Sequence, residues 1–191
     1  MEYLIIIFLC YLSGSIPFGF ILTKLFLKKD IRNIGSGNIG ATNALRTGNK
    51  SLGYSTLILD IAKAVLPIIY IKLNYPEYIF IASLSTFLGH VFPVWLKFKG
   101  GKGVATYIGI LFSINLIYGL IFILSWSLIF LISKYSSLSS IFASLVIPIY
   151  VFFFDNFISM FFLIMFVLIL FTHRENVNRL KNREENKTKI F

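Results

Sequence analysis

Long uncharged apolar runs constrain this chain more than any other feature. Residues 3–23 carry no charged side chain, and neither do residues 103–133. A helix that crosses about 30 Å of hydrocarbon needs about 20 such residues at roughly 1.5 Å per residue. Only 14% of the chain is charged, against roughly 25–35% for the surface of a water-soluble domain. A water-soluble globule is excluded, and 57% hydrophobic residues exclude disorder. The chain reads as an all-α integral membrane protein. One cysteine, Cys10, and two histidines, His90 and His173, leave no disulfide framework and no multi-histidine metal site, so no metal or cofactor is expected.

Spans are expected at 3–23, 54–71, 78–96, 103–117, 119–133, 135–154 and 156–172, followed by a tail at 173–191, all within one membrane domain 1–191. The segment 103–133 needs a decision. As one helix it would be roughly 46 Å long, too long for the bilayer without steep tilt. As two it would turn near Asn115 and Gly119. Two spans place every basic segment except Lys72 on one side, 17 of 18 Lys and Arg. The positive-inside rule then sets seven transmembrane helices with the N-terminus outside and the C-terminus cytoplasmic. The first span lacks a basic leader, with Lys24, Lys28 and Lys29 following it, so it is read as a retained helix.

The unusual polar residues gather on the cytoplasmic side in three segments. The first holds Gly35, Ser36, Gly37, Asn38, Gly40, Thr42, Asn43 and Arg46. The second holds His90 and then Gly100, Gly101, Lys102 and Gly103. The third holds His173, Asn176 and Arg179. A carrier places polar groups at mid-bilayer, so this asymmetry points to chemistry at the membrane surface. The G-x-G-x-x-G at 35–40 follows a membrane helix rather than a strand, which rules out a dinucleotide fingerprint. Its glycines still let backbone N–H groups approach an anion; a plain glycine-rich turn with Asn and Ser caps is the competing reading. Gly100-Gly101-Lys102-Gly103 is not a Walker loop, since Gly103 replaces the hydroxyl residue. It opens a helix, whose N-terminus favours phosphate, and Lys102 adds a full charge. His173, Asn176 and Arg179 share one helix face, and the tail over 181–189 reads as a solvated basic stretch able to attract anionic lipid. Asp60 and Lys63, three apart inside the second span, read as mutually neutralising or as support behind the site. His90 reads equally as a packed core histidine or as a ligand.

These segments, in this order, resemble the bacterial acyl-phosphate:glycerol-3-phosphate acyltransferase (PlsY) family. The resemblance is carried by the Ser13-Gly14-Ser15-Ile16-Pro17-Phe18-Gly19 run, the loop from Gly35 to Asn43, Gly89-His90, the segment from Phe98 to Thr106, and the segment from His173 to Leu180. It implies a seven-helix enzyme of the bacterial cytoplasmic (inner) membrane, its active site facing the cytoplasm. Its reaction would transfer an acyl group from acyl phosphate to the sn-1 hydroxyl of glycerol 3-phosphate, yielding lysophosphatidic acid and phosphate, the first acylation of phospholipid biosynthesis. Implied partners are these two substrates, membrane lipid and an acyl-phosphate-producing enzyme, with no nucleic acid. By resemblance, Ser36, Arg46, Lys102, His173 and Asn176 match functional positions. Asn38, Asn43, His90, Gly103 and Ser137 match lesser ones, and Gly35, Gly37, Gly40, Thr42 and Gly101 complete the substrate-binding set.

The residues fit the demands of such a reaction. Two phosphorylated substrates need several anion sites, and one lipid plus one water-soluble substrate need the interface. Acyl phosphate is a mixed anhydride, so no covalent enzyme intermediate is required. No G-x-S-x-G elbow is present, and Trp95 and Asn178 stand where a His-x-x-x-x-Asp pair would need aspartate. The general base is either His173, whose ordinary pKa is suitable, or a substrate phosphate. A small anion carrier or a lipid-binding scaffold is the alternative, although the chain holds only a faint internal echo between 39–42 and 103–106.

Overall fold

The computed structural model describes residues 1–188; the last three residues of the expected tail, 189–191, lie outside the described residues. All regular elements among the described residues are helical, and they group into two compact units, Met1–Ile114 and Asn115–Phe191.

In the first unit, α1 (Glu2–Ser15) and α2 (Phe18–Leu27) replace the single helix expected at 3–23. Pro17 has no N–H to donate, and it pushes the preceding residue out of helical conformation. Ile16 is accordingly extended. A short 3₁₀ turn at Ile31–Asn33 and a five-residue helix, α3 (Ala41–Leu45), follow. Then comes α4 (Lys50–Asn74), longer at both ends than the expected 54–71; at its start Asn49 caps it by accepting from Leu52 N at 3.2 Å. A 3₁₀ turn at Pro76–Tyr78 leads into α5 (Ile79–Val91), which stops short of the expected residue 96 just before Pro93. After a 3₁₀ turn at Val94–Leu96 comes α6 (Val104–Ile114).

Helix α1 packs chiefly on α5, and α4 on α6. The first pair meets backbone to backbone: a β-carbon on Gly14 would strike the Thr86 carbonyl, and one on Gly89 the Tyr11 carbonyl. Small residues at such crossings are the usual means of bringing membrane helices together. Lys72, the one basic residue expected outside, donates to the last carbonyls of α6, Ser113 O and Ile114 O, both at 2.9 Å. That is favourable charge for a helix C-terminus.

The second unit comprises α7 (Leu116–Ser133), α8 (Ser136–Phe152), α9 (Asn156–Thr172) and α10 (Arg174–Lys181). The break required by the two-helix reading of 103–133 falls at Asn115, whose carboxamide oxygen accepts from Ile117 N at 2.9 Å and starts α7. Asp155 caps α9 in the same way through Ile158 N. Helices α9 and α10 meet at a bend of 62°.

Both units are inside out relative to a soluble protein. Leu66, Leu73, Ile132 and Phe157 are exposed, while Ser83, Thr86, Ser139, Ser140 and Ser144 are buried. Most of these inner hydroxyls return their proton to a carbonyl one turn back, which satisfies them without water. Three described helical segments, Glu2–Leu27, Pro76–Leu96 and Leu116–Ser133, are long and apolar enough to cross a membrane, or four if α9 and α10 form one bent span.

Candidate active site

The first glycine loop is built around one side chain. Asn43, buried on α3, donates its amide to Ile34 O and Asn38 O, both at 2.8 Å, and to Ile31 O at 3.2 Å. Its oxygen accepts from Ser36 N at 2.9 Å. Both ends of Asn43 are thus engaged inside the loop, which it closes like a clasp. Asn38 makes a tighter turn within it, accepting from Gly40 N at 2.8 Å. Gly35 has φ +55°, and a β-carbon there would meet Asn43 Oδ1 and come within 2.8 Å of Arg46 Cδ. Glycine is therefore what lets the Arg46 side chain lie against the loop. Ser36 and Arg46 are exposed, Thr42 is half-buried, and Gly37 (φ +72°) carries the chain between them.

At the start of this loop Asp30 and Arg32 form a close ion pair, Nη2 to Oδ2 at 2.6 Å. Hydrogen bonds from Arg32 hold the Asp30 carboxyl below its ordinary pKa, against a smaller opposing effect of burial. Arg32 is engaged in that pairing, whereas Arg46 is exposed.

The second loop runs from the end of α5 to the start of α6. Gly100 N donates to Val91 O at 3.0 Å and Gly101 N to His90 O at 3.1 Å. Gly103 (φ +84°) then turns against Phe87 and starts α6, with Tyr107 N accepted by Gly103 O at 2.7 Å. Lys102 is half-buried between the two glycines. His90 itself is buried, with Nδ1 2.9 Å from Lys63 Nζ.

In the second unit His173 sits at the bend between α9 and α10, buried. Its Nδ1 lies 2.9 Å from Ile169 O. A carbonyl only accepts, so Nδ1 carries the proton, and in the neutral ring Nε2 carries the lone pair. Asn176 and Arg179 share one face of α10, as their spacing requires. Both reach Glu185: Asn176 Nδ2 donates to Oε1 at 2.6 Å and Arg179 Nε to Oε2 at 2.8 Å. Ser137, at the start of α8, donates to Oε1 at 2.8 Å. Burial raises the Glu185 pKa, but the hydrogen bonds from Arg179, Asn176 and Ser137 together outweigh it and leave the carboxyl below its ordinary range.

Glu185 is the residue that sequence reasoning missed. It lies in the stretch expected to be solvated tail. That stretch instead returns to the turn between α7 and α8, where Thr188 N donates to Lys134 O at 3.0 Å. Of the expected residues, Ser36 and Arg46 stand with the first loop and Lys102 with the second, in the first unit. His173, Asn176 and Ser137 stand in the second unit, the last two on one carboxylate.

A family model described as glycerol-3-phosphate acyltransferase matches residues 4–183. The chain is 75% identical over its whole length, and that of its relative, to a glycerol-3-phosphate acyltransferase of Pelagibacter ubique (strain HTCC1062). It is 46% identical over 190 residues, 96% of this chain and 90% of the relative, to one of Bartonella henselae. Among solved structures it is similar to the crystal structure of PlsY (YgiH), an integral membrane glycerol 3-phosphate acyltransferase, in its glycerol 3-phosphate form. There the TM-score is 0.92 and the identity 35%, covering 99% of this chain and 96% of that one. Motifs, helical architecture and comparisons converge: this integral membrane chain belongs to the glycerol-3-phosphate acyltransferase family, the PlsY acyltransferases.

Proposed function

We propose that this enzyme takes its acyl group from acyl phosphate and places it on the sn-1 hydroxyl of glycerol 3-phosphate. The reaction releases lysophosphatidic acid and inorganic phosphate at the cytoplasmic face of a bacterial inner membrane. The observation that carries this reading is the second loop, where Lys102 stands between two glycines at the opening of α6. Backbone N–H groups, a helix N-terminus and an ammonium all favour a phosphate there. Arg46 and Ser36 on the first loop supply a second set of donors, and Asn43 and Asn38 hold that loop in shape. The similar crystal structures are described as a glycerol 3-phosphate form and a lysophosphatidic acid form, in keeping with these as substrate and product.

In the proposed step the sn-1 oxygen attacks the acyl carbonyl carbon, the bond from that carbon to the phosphate oxygen breaks, and phosphate leaves with the electron pair. Arg46 and Lys102 offset the growing charge on phosphate, while His173 and Asn176 orient glycerol 3-phosphate. The hydroxyl proton passes to a substrate phosphate. A second reading sends it to His173, and one observation favours that: the bond from Nδ1 to Ile169 O places the basic lone pair on Nε2. No nucleophilic enzyme group is needed, and Cys10, the single thiol, is buried within α1.

The seven-span topology, N-terminus outside and C-terminus cytoplasmic, belongs to the same proposal, as does a supply of acyl phosphate from a separate enzyme. The decisive experiment is purified protein with acyl phosphate and glycerol 3-phosphate, scored for lysophosphatidic acid. Product is expected with acyl phosphate alone as donor, and its absence would overturn the reading.

A further inference from the structure

Three buried groups of the first unit are left over once the loops are assigned: Asp60 and Lys63 on α4 and His90 on α5, exposed by 2%, 4% and 4%. Lys63 Nζ stands 2.8 Å from Asp60 Oδ1 and 2.9 Å from His90 Nδ1, and it donates to Ile16 O at 2.7 Å. Two of the ammonium's hydrogens are committed, to His90 Nδ1 and Ile16 O, while Asp60 Oδ1 balances its charge as an ion-pair partner outside hydrogen-bond geometry. The second of these acceptors, Ile16 O, lies at the break before Pro17. Because the ammonium only donates, His90 Nδ1 accepts, and the ring proton is on Nε2.

The Nε2 edge of the same ring faces the second glycine loop. A β-carbon on Gly101 would collide with Nε2 and lie 2.8 Å from Cε1. The loop backbone is tied to α5 on the same side, Gly101 N to His90 O and Gly100 N to Val91 O. Gly101 directly precedes Lys102. Mutual neutralisation explains why Asp60 and Lys63 occur together inside a span. It leaves unexplained why the ammonium commits a hydrogen to a histidine whose opposite edge supports the loop.

We propose that Asp60, Lys63 and His90 form a buried brace that positions Lys102: Lys63 fixes the His90 ring, and the ring's Nε2 edge is the wall that holds the backbone at Gly101. His90, expected among the substrate-binding residues, is thereby a positioning residue. The proposal rests on the reading of Lys102 as a phosphate-binding group.

The test is a pair of variants assayed in wild-type and Lys102→Ala backgrounds. His90→Asn keeps an acceptor near the Nδ1 position and removes the edge that faces Gly101. The double variant Asp60→Asn/Lys63→Met removes the donor to His90 without leaving an unpaired buried charge. Each is expected to lower kcat/KM at least about tenfold in the wild-type background, yet less than about twofold further when Lys102 is already absent. Thermal midpoints in detergent should stay within about 2 °C of their parent. Wild-type rates in both variants would overturn the brace. So would equal losses in the two backgrounds, or a loss that follows a fall in thermal midpoint. If Lys102→Ala itself is as active as wild type, the reading of Lys102 falls and takes the brace with it, an outcome distinct from the first three.

Discussion

Asn176 donates its side-chain amide to Glu185 at 2.6 Å, across nine residues of chain. The polar face of α10 is therefore organised by an acceptor that lies beyond the end of the helix. Ser137 from α8 and Arg179 from the next turn of α10 meet the same carboxylate. Three donors on one acceptor make the arrangement of Asn176 depend on a tail residue.

Removing that acceptor should be costly. Glu185→Ala leaves three donors without it and is expected to lower kcat/KM at least about tenfold, since a hydrogen bond to a charged group is worth about 1.5–3 kcal/mol. Glu185→Gln keeps one accepting oxygen for Ser137 and Asn176 and should lose less. The carboxyl titrates below its ordinary range, so its stabilisation is full above the unfolded pKa and fades as pH falls through the folded one. Thermal midpoints of wild type and Glu185→Gln should converge toward the acidic end of that window.

Lys102→Ala and Arg46→Ala remove the charge that the proposed mechanism directs at phosphate. Each is expected to reduce kcat/KM at least about tenfold with the protein still folded in detergent. Lys102→Arg should rescue only in part, because a planar fork replaces a compact ammonium between two glycines. Full rescue would mean that charge alone matters at this position.

His173→Asn separates the two proton acceptors. If a substrate phosphate takes the proton, the variant loses rate uniformly and its pH–rate profile keeps the acidic limb. If His173 Nε2 takes it, wild-type rate falls as pH drops and the imidazole protonates, and the variant loses that limb. The pH dependence of kcat/KM decides between them.

The donor is expected to be acyl phosphate, with negligible product from acyl-CoA. The loops at 34–40 and 97–103 are too short to form a docking domain for a large thioester carrier. Equal rates with the two donors would overturn the donor assignment and leave glycerol 3-phosphate acylation standing.

Orientation is checked by reporters. One fused after Phe191 should read cytoplasmic, and one placed within 115–119 should read external. A C-terminal reporter on the outer side would reject the expected topology.

Much of this fold was legible because bilayer thickness is a ruler. A 31-residue uncharged run had to break, and Asn115, able to cap a new helix, is where it does. The break at Ile16 and Pro17 went unread because the run is apolar on both sides and hydropathy does not register a missing N–H. Of the site, the two glycine loops and the shared face of Asn176 and Arg179 were readable from local spacing. Asn43 was expected to bind substrate, yet its amide is engaged with loop carbonyls, a distinction that composition does not make. Lys63 with His90, 27 residues apart, and Asn176 with Glu185 are tertiary pairings that no short-range period encodes.

The backbone crossing at Gly14 and Gly89 carries a consequence for how this sequence can drift. At both positions the space for even a methyl group is already filled by a carbonyl of the neighbouring helix, so the permitted alphabet there has one letter. Lipid-facing positions such as Leu66, Ile132 and Phe157 accept any side chain that dissolves in hydrocarbon. Random mutagenesis under selection should therefore leave the outer shell scrambled and these two glycines untouched.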